Sequence, residues 1–314
     1  MPFVKREFFI DDEVLAFQFV MRKFGLTMSQ AQRLIDRGRV TQNGERLRDK
    51  SQILKGQVEA VYFEPESRGL EPFFKTPEFV VFEKPSGVLV HPKKMTTPYS
   101  MLDEVRAFGG VNANSTHRID KETSGLLLAS LCREAESHLK SAFEAKKIQK
   151  SYRAWVAGEI RDSFSVSEPI LRNDDYSQTK HKVFIDKNGK KAETDFKPLF
   201  YDREKDVTLL ECTPKTGRTH QIRIHLFHKN HPIIGDPLYG REFKTAEAYL
   251  EERLDETQRL YLTGAKRLML HAYRLEFEYK NRFIIVSRDD FFGKLADIAP
   301  VFERSREIFK GWRE

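Results

Sequence analysis

Cysteine is nearly absent from this chain of 314 residues, which carries only Cys132 and Cys212. Two thiols far apart in sequence exclude a disulfide framework and a cysteine zinc site, and they suit a reduced, cytoplasmic protein. Long apolar runs are missing too. No stretch approaches the length needed to cross a bilayer, and charges interrupt every apolar segment of the N-terminal thirteen residues. Neither a signal peptide nor membrane association is therefore expected. There is no Walker loop, no dinucleotide glycine fingerprint and no nucleophile elbow. Ser86 in Pro85-Ser86-Gly87 and Ser124 in Thr123-Ser124-Gly125 lack the flanking glycine pattern, so ATP, NAD and serine-hydrolase chemistry find no support. Internal repeats and low-complexity segments are absent. His220, His225, His228 and His231 crowd one stretch, and His225 and His228 would share a helical face. No glutamate sits between them and no nearby acid completes a ligand set, so no metal is expected.

What is present is large apolar anchors, with 25 Phe and 10 Tyr, inside a chain that is 32% charged with a formal charge of +7. Such a chain folds rather than remaining disordered. Its length suits one large domain plus a small one. Basic excess alone is weak evidence for a polyanionic partner; its distribution says more.

A small unit is expected over residues 1–68. Apolar spacing over 14–24 is mainly helical, Gly25 breaks it, and Ser29 reads as the N-cap of a second helix ending at Gly38. Residues 40–42 read as a strand, Asn43-Gly44 as a hairpin turn, 54–57 as a further turn and 58–62 as a closing strand. Arg33, Arg37, Arg39, Arg46, Arg48 and Lys50 cluster on the second helix and its hairpin. Two short helices feeding a basic hairpin resemble the S-four-like RNA-binding module, which implies phosphate contacts by these arginines. The alternative is an ordinary solvated face.

The polar segment 64–69 reads as a linker. Residues 69–314 read as one α+β unit, with a mixed, mostly antiparallel central sheet flanked by helices. Strands are expected at 79–84, 88–92, 124–130, 150–158, 183–185, 194–199, 207–212, 274–279 and 282–286, and helices at 134–146 and in the charged insertion 241–268.

Three constellations carry chemistry. In His117-Arg118-Ile119-Asp120-Lys121-Glu122-Thr123-Ser124-Gly125 a lone carboxylate precedes an apolar run that must be buried. A turn aspartate often only caps an amide, but it needs no such company. Tyr152 lies on an alternating strand, where core packing is the ordinary explanation. In Lys215-Thr216-Gly217-Arg218-Thr219-His220-Gln221-Ile222-Arg223 a basic glycine loop opens a helix, a setting that suits a phosphate.

Together these residues resemble the RluA-type pseudouridine synthases. The run 117–128, Lys150-Ser151-Tyr152, 217–225, Glu83-Lys84-Pro85-Ser86-Gly87, Gly235-Asp236-Pro237-Leu238-Tyr239-Gly240 and Leu270-His271-Ala272 match in the family's order, with Ile119 where leucine is commoner. The resemblance implies an isomerase that converts uridine to pseudouridine in RNA rather than DNA, without cofactor or metal; a cytoplasmic location is expected from the cysteine usage, and a monomer is expected. It makes Asp120 the carboxylate that attacks the target ribose or deprotonates it, Arg223 its partner, and Tyr152 the stacking residue that takes the carbon 5 proton late. Ile222 and Leu270 would wall the uracil pocket. His117, Arg118, Arg218, His220 and Gln221 would contact RNA. Large-subunit (23S) ribosomal RNA is the preferred target on the strength of the N-terminal module, with tRNA as the alternative. A non-catalytic RNA-binding protein and a metal-dependent RNA hydrolase built on the histidines are the competing classes.

Overall fold

A computed structural model describes residues 2–47, 49–173 and 182–299; Arg48 of the basic cluster lies outside them. In chain order the elements are β1 (Phe3–Leu15), α1 (Ala16–Phe24), α2 (Met28–Asp36), β2 (Val40–Gln42), β3 (Glu45–Arg46), β4 (Ile53–Phe63), β5 (Phe74–Lys75), β6 (Phe79–Lys84), α3 (Met101–Gly109), β7 (Asn114–Ser115), β8 (Ser124–Ser130), α4 (Arg133–Glu144) and β9 (Gln149–Ala157). They continue with β10 (Phe164–Val166), β11 (Ile170–Arg172), β12 (Val183–Ile185), β13 (Thr194–Asp202), β14 (Val207–Pro214), α5 (Gln221–His228), α6 (Phe243–Leu250), α7 (Glu256–Thr263), β15 (Leu270–Tyr279) and β16 (Asn281–Val286). The chain divides into two compact units. The first holds the residues up to Glu71 with Leu89–Ser115 and Leu131–Arg133, and the second holds Pro72–Val88, Thr116–Ser130 and the chain from Glu134 onward.

In the first unit a four-stranded antiparallel sheet, ordered β1-β4-β2-β3, shares a core with α1 and α2 built from Val20, Ala31, Ile35, Val40, Leu54 and Val58. One strand was not foreseen here, and two expectations are corrected. Residues 3–15 form a long strand, because its ladder to β4 satisfies a backbone whose charged side chains obscure the alternation. Thr27, not Ser29, caps α2: its hydroxyl accepts the Gln30 N–H while the Gln30 side chain accepts the Thr27 N–H. Residues 54–57 are no turn but part of β4, where Gly56 (φ 79°) faces a register shift between Ile10 and Val14. The linker-like segment is tied down: Glu104 accepts from the Ser67 hydroxyl and the Arg68 N–H, and Asp103 from the Glu66 N–H. The expected strand at 88–92 does not form. The Leu89 and Val90 carbonyls accept the Met101 and Leu102 N–H groups at the start of α3 instead.

In the second unit the sheet runs β10-β13-β14-β9-β15-β8-β6-β5, with β16 beside β15. Its pairs are antiparallel except β15 with β8, so the sheet is mixed and mostly antiparallel as expected. Trp155, Val156, Leu209, Leu210, Leu226 and Leu268 fill the core. The parallel pair positions the site. Gly125 (φ 103°) stands against Ala272, and a Cβ there would lie 2.3 Å from the Ala272 carbonyl oxygen. Only glycine permits that approach, which brings the loop before β8 alongside β15 and β9.

Candidate active site

The loop carrying Asp120 is held by its backbone. The buried Lys84 ammonium donates to the carbonyls of Pro85, Val88 and Lys121 at 2.8, 2.8 and 3.0 Å. The Gly87 N–H also reaches the Lys121 carbonyl, and the Ser86 hydroxyl donates to the Glu122 carbonyl at 2.6 Å. The run 83–87 is thus a cradle for residues 121–122. Burial drives the Lys84 pKa down to about 7 against the pull of Glu122 and Asp120. The Glu122 carboxylate is clamped from the insertion, by the Tyr249 hydroxyl at 2.8 Å and the Arg259 guanidinium at 2.7 Å. The insertion 241–268 therefore braces the loop, through α6 and α7.

Asp120 faces an open cavity lined also by Arg118, Lys150, Tyr152, Gly217, Arg218, His220, Gln221, Ile222, Arg223 and Leu270. Its side chain is 29% exposed, and Oδ2 lies 3.8 Å from both Arg223 Nη1 and His220 Nε2. Burial pushes the Asp120 carboxyl above the usual range; Arg223, then Lys182, pull it back.

Arg223 is 2% exposed and lies on α5 with a bidentate partner that sequence reasoning gave no role. Asp236 accepts Nε and Nη2 at 2.7 Å each, and its Oδ1 also accepts the Leu238 and Tyr239 N–H groups. Burial opposes the Arg223 charge, but Asp236 and then Asp120 more than compensate, so the cation is permanent. Burial likewise opposes the Asp236 charge, yet Arg223 and those amides hold its carboxyl below the usual range. The signal was present: a guanidinium between the apolar Ile222 and Ile224 needs a counter-ion, and Asp236 sits in one of the quoted runs. Tyr152 on β9 is a phenol at rest, its pKa raised by burial first and by the Asp120 charge second.

The structure brings Asp120, Tyr152, Arg223, Ile222 and Leu270 to one cavity and gives other expected contacts different work. His117 does not line it. Its Nε2 accepts the Leu128 N–H at 3.1 Å and its ring stacks on Phe143, while burial, then the Lys150 charge, lowers its pKa to about 3, so it supports β8 as a neutral ring. Gln221 has spent its amide: Oε1 accepts from the Thr216 hydroxyl and Arg218 N–H, and Nε2 donates to the Glu193 carbonyl and Thr194 hydroxyl. It staples the loop to β13 rather than touching RNA. His220 is buried, with Nδ1 2.9 Å from the Tyr239 hydroxyl. Arg118 and Arg218 are exposed at the cavity, Arg218 Nε donating to the Lys191 carbonyl. In the first unit Arg33 and Arg37 are exposed, whereas Arg39 is half-buried over the Phe3 ring at 4.7 Å.

Two of the crowded histidines, His225 and His231, are structural. His225 lies between the Thr194 hydroxyl and the Glu168 carbonyl, and His231 is hydrogen-bonded to the Ala157 carbonyl. Among the described residues no group of three or more His, Cys, Asp or Glu could hold a metal ion.

Comparison with known proteins identifies the family of the chain. The RNA pseudouridylate synthase family model matches residues 78–228, and the S4 domain model matches residues 18–59. An uncharacterized RNA pseudouridine synthase of Helicobacter pylori is 39% identical over 281 residues, covering 89% of this chain and 92% of the relative. The ribosomal large subunit pseudouridine synthase D of Xanthomonas campestris pv. campestris is 32% identical over 72% of this chain and 66% of the relative. Among solved structures, human RNA pseudouridylate synthase domain containing 1 shares the fold, with TM-score 0.59 and 24% identity over 79% of this chain and 98% of that one.

Proposed function

This chain belongs to the RNA pseudouridine synthase family, and from that premise we propose that Asp120 is the carboxylate that acts on the ribose of the target uridine. The enzyme isomerises uridine to pseudouridine in RNA. The glycosidic bond to uracil must break, the ring must turn, and a carbon–carbon bond must form at carbon 5. Bond breaking develops oxocarbenium character at the anomeric carbon, where a fixed carboxylate is most useful. The observation that carries this assignment is a part-buried carboxylate 3.8 Å from a buried, permanently charged guanidinium. Burial raises the Asp120 pKa and the Arg223 charge opposes that rise; Arg223 aims the carboxylate, and Asp236 keeps Arg223 in place. Ile222 and Leu270 supply apolar walls for the pyrimidine.

Tyr152 stacks under the uracil and receives the carbon 5 proton late. As a resting phenol it cannot serve as a base. It takes the carbon 5 proton only by giving up its own hydroxyl hydrogen: N1 of the cleaved uracil needs a hydrogen in the product, so the phenol hydrogen passes to the uracil as the carbon 5 proton arrives, after the carbon–carbon bond has formed. The target nucleotide leaves its stack to enter, which costs a few kcal/mol, and the exposed Arg118 and Arg218 at the mouth offset part of this through phosphate. The substrate proposed is large-subunit ribosomal RNA, gripped by residues 1–68. The names of the relatives and the S4 match support that choice.

The test is Asp120→Asn assayed on a ribosomal RNA transcript. Loss of pseudouridine formation by at least about a thousandfold, with RNA binding and circular dichroism retained, is expected. Substantial turnover would end the assignment. Mapping pseudouridines in a deletion strain beside its parent identifies the target.

A further inference from the structure

We infer that Tyr239 and His220 form a relay that places the imidazole hydrogen on Nε2, making His220 a second donor aimed at the Asp120 carboxylate and Tyr239 its positioning residue. The inference rests on the assignment of Asp120 above. Tyr239 is fully buried, and its hydroxyl oxygen accepts the Val183 N–H while lying 2.9 Å from His220 Nδ1. Burial keeps the phenol protonated, so its hydrogen is available to Nδ1. A second observation selects the same tautomer. On the opposite side of the ring, Nε2 lies 3.8 Å from Asp120 Oδ2. A bare lone pair there would face a carboxylate oxygen; an N–H is attracted to it.

The backbone agrees. His220 sits at the N-cap of α5 in the left-handed region, φ 52° and ψ 21°, which a residue with a side chain seldom adopts. That conformation turns the imidazole inward between Tyr239 and Asp120. The same phenol ring lies under the Arg223 guanidinium, 5.1 Å from ring centre to Cζ. Tyr239 therefore supports both groups that face Asp120 Oδ2. At 3.8 Å the His220 contact is longer than a hydrogen bond, so its effect on the carboxylate is that of an N–H dipole aimed at Oδ2.

The experiment is nitrogen-15 histidine NMR on the full chain, with the His220 signals assigned by their loss in His220→Asn. The protonated-Nε2 tautomer is expected in the wild type and a mixture in Tyr239→Phe. In turnover, Tyr239→Phe should lower kcat about tenfold while KM for RNA moves less than twofold. His220→Gln, which keeps an amide N–H near the Nε2 position, should retain more kcat than His220→Asn. A protonated-Nδ1 tautomer in the wild type overturns the relay, as does equal loss in the two His220 variants. An inactive Asp120→Asn combined with the wrong tautomer discards the relay and leaves Asp120 in place. An active Asp120→Asn discards both.

Discussion

Arginine does opposite work in the two units. In the first, Arg33 and Arg37 lie on the surface, and Arg39 splits its guanidinium between the Phe3 ring and the outside. In the second, Arg223 is 2% exposed, forked onto Asp236 and 3.8 Å from Asp120. An exposed cation keeps its hydration and can exchange counterions for phosphates, so its value is in attraction and salt dependence. A buried cation has given up its hydration and persists only because fixed carboxylates replace it. Its value is in direction, because it cannot move. On the proposed function, one residue type serves capture in one unit and aim in the other.

The strongest way to break this contrast is Asp236→Ala. It leaves Arg223 buried without its forked partner, and stability should fall by about 3–5 kcal/mol with activity abolished. Denaturant unfolding checks the first and pseudouridine assay the second. Arg223→Lys is gentler: the charge stays, but an ammonium cannot engage both Asp236 oxygens in a plane. Turnover should drop about a hundredfold with folding nearly intact; a rate near wild type would mean that charge alone matters.

Acid sharpens the contrast further. The first unit holds one histidine, the half-buried His91, whereas the second unit buries His225 and His271 as neutral rings, burial lowering their pKa values from 6.5 to about 4 and about 3. Between those values and 6.5 the unfolded chain binds more protons than the folded one. Their stabilisation is complete above 6.5 and is lost as pH falls, at most about 1.4 kcal/mol per pH unit for each ring. Thermal melts from pH 7 to 4.5 should decline, and His271→Gln should flatten the slope. The smallest effect belongs to the surface: Arg33→Gln with Arg37→Gln should leave kcat unchanged and reduce the slope of log affinity against log salt by about 1–2. An unchanged slope would make these arginines a plain solvated face.

Local pattern was readable where a segment's own residues decide its structure. The strands at 124–130 and 183–185 have the expected bounds, since continuous apolar runs between turn residues have little alternative. The strand Phe3–Leu15 was not readable, because Lys5, Arg6, Asp11, Asp12 and Glu13 interrupt its alternation and its partner β4 lies far along the chain. Residues 88–92 look like a strand, yet the amides opening α3 claim two of their carbonyls. In the site, Asp120, Tyr152 and Arg223 stood out by motif. The cradle of Lys84, the clamp on Glu122 and the structural tasks of His117 and Gln221 did not, for each depends on a partner distant in sequence.

By itself, then, the order of residues determined the family, the strand-rich second unit and the identity of the acid, tyrosine and guanidinium that share the cavity, because those signals are carried by short contiguous runs. Tertiary structure alone decided which side chains point at the carboxylate and which merely hold the walls. That choice depends on distance through space and on which polar atoms burial leaves in need of partners, and neither quantity is written along the chain.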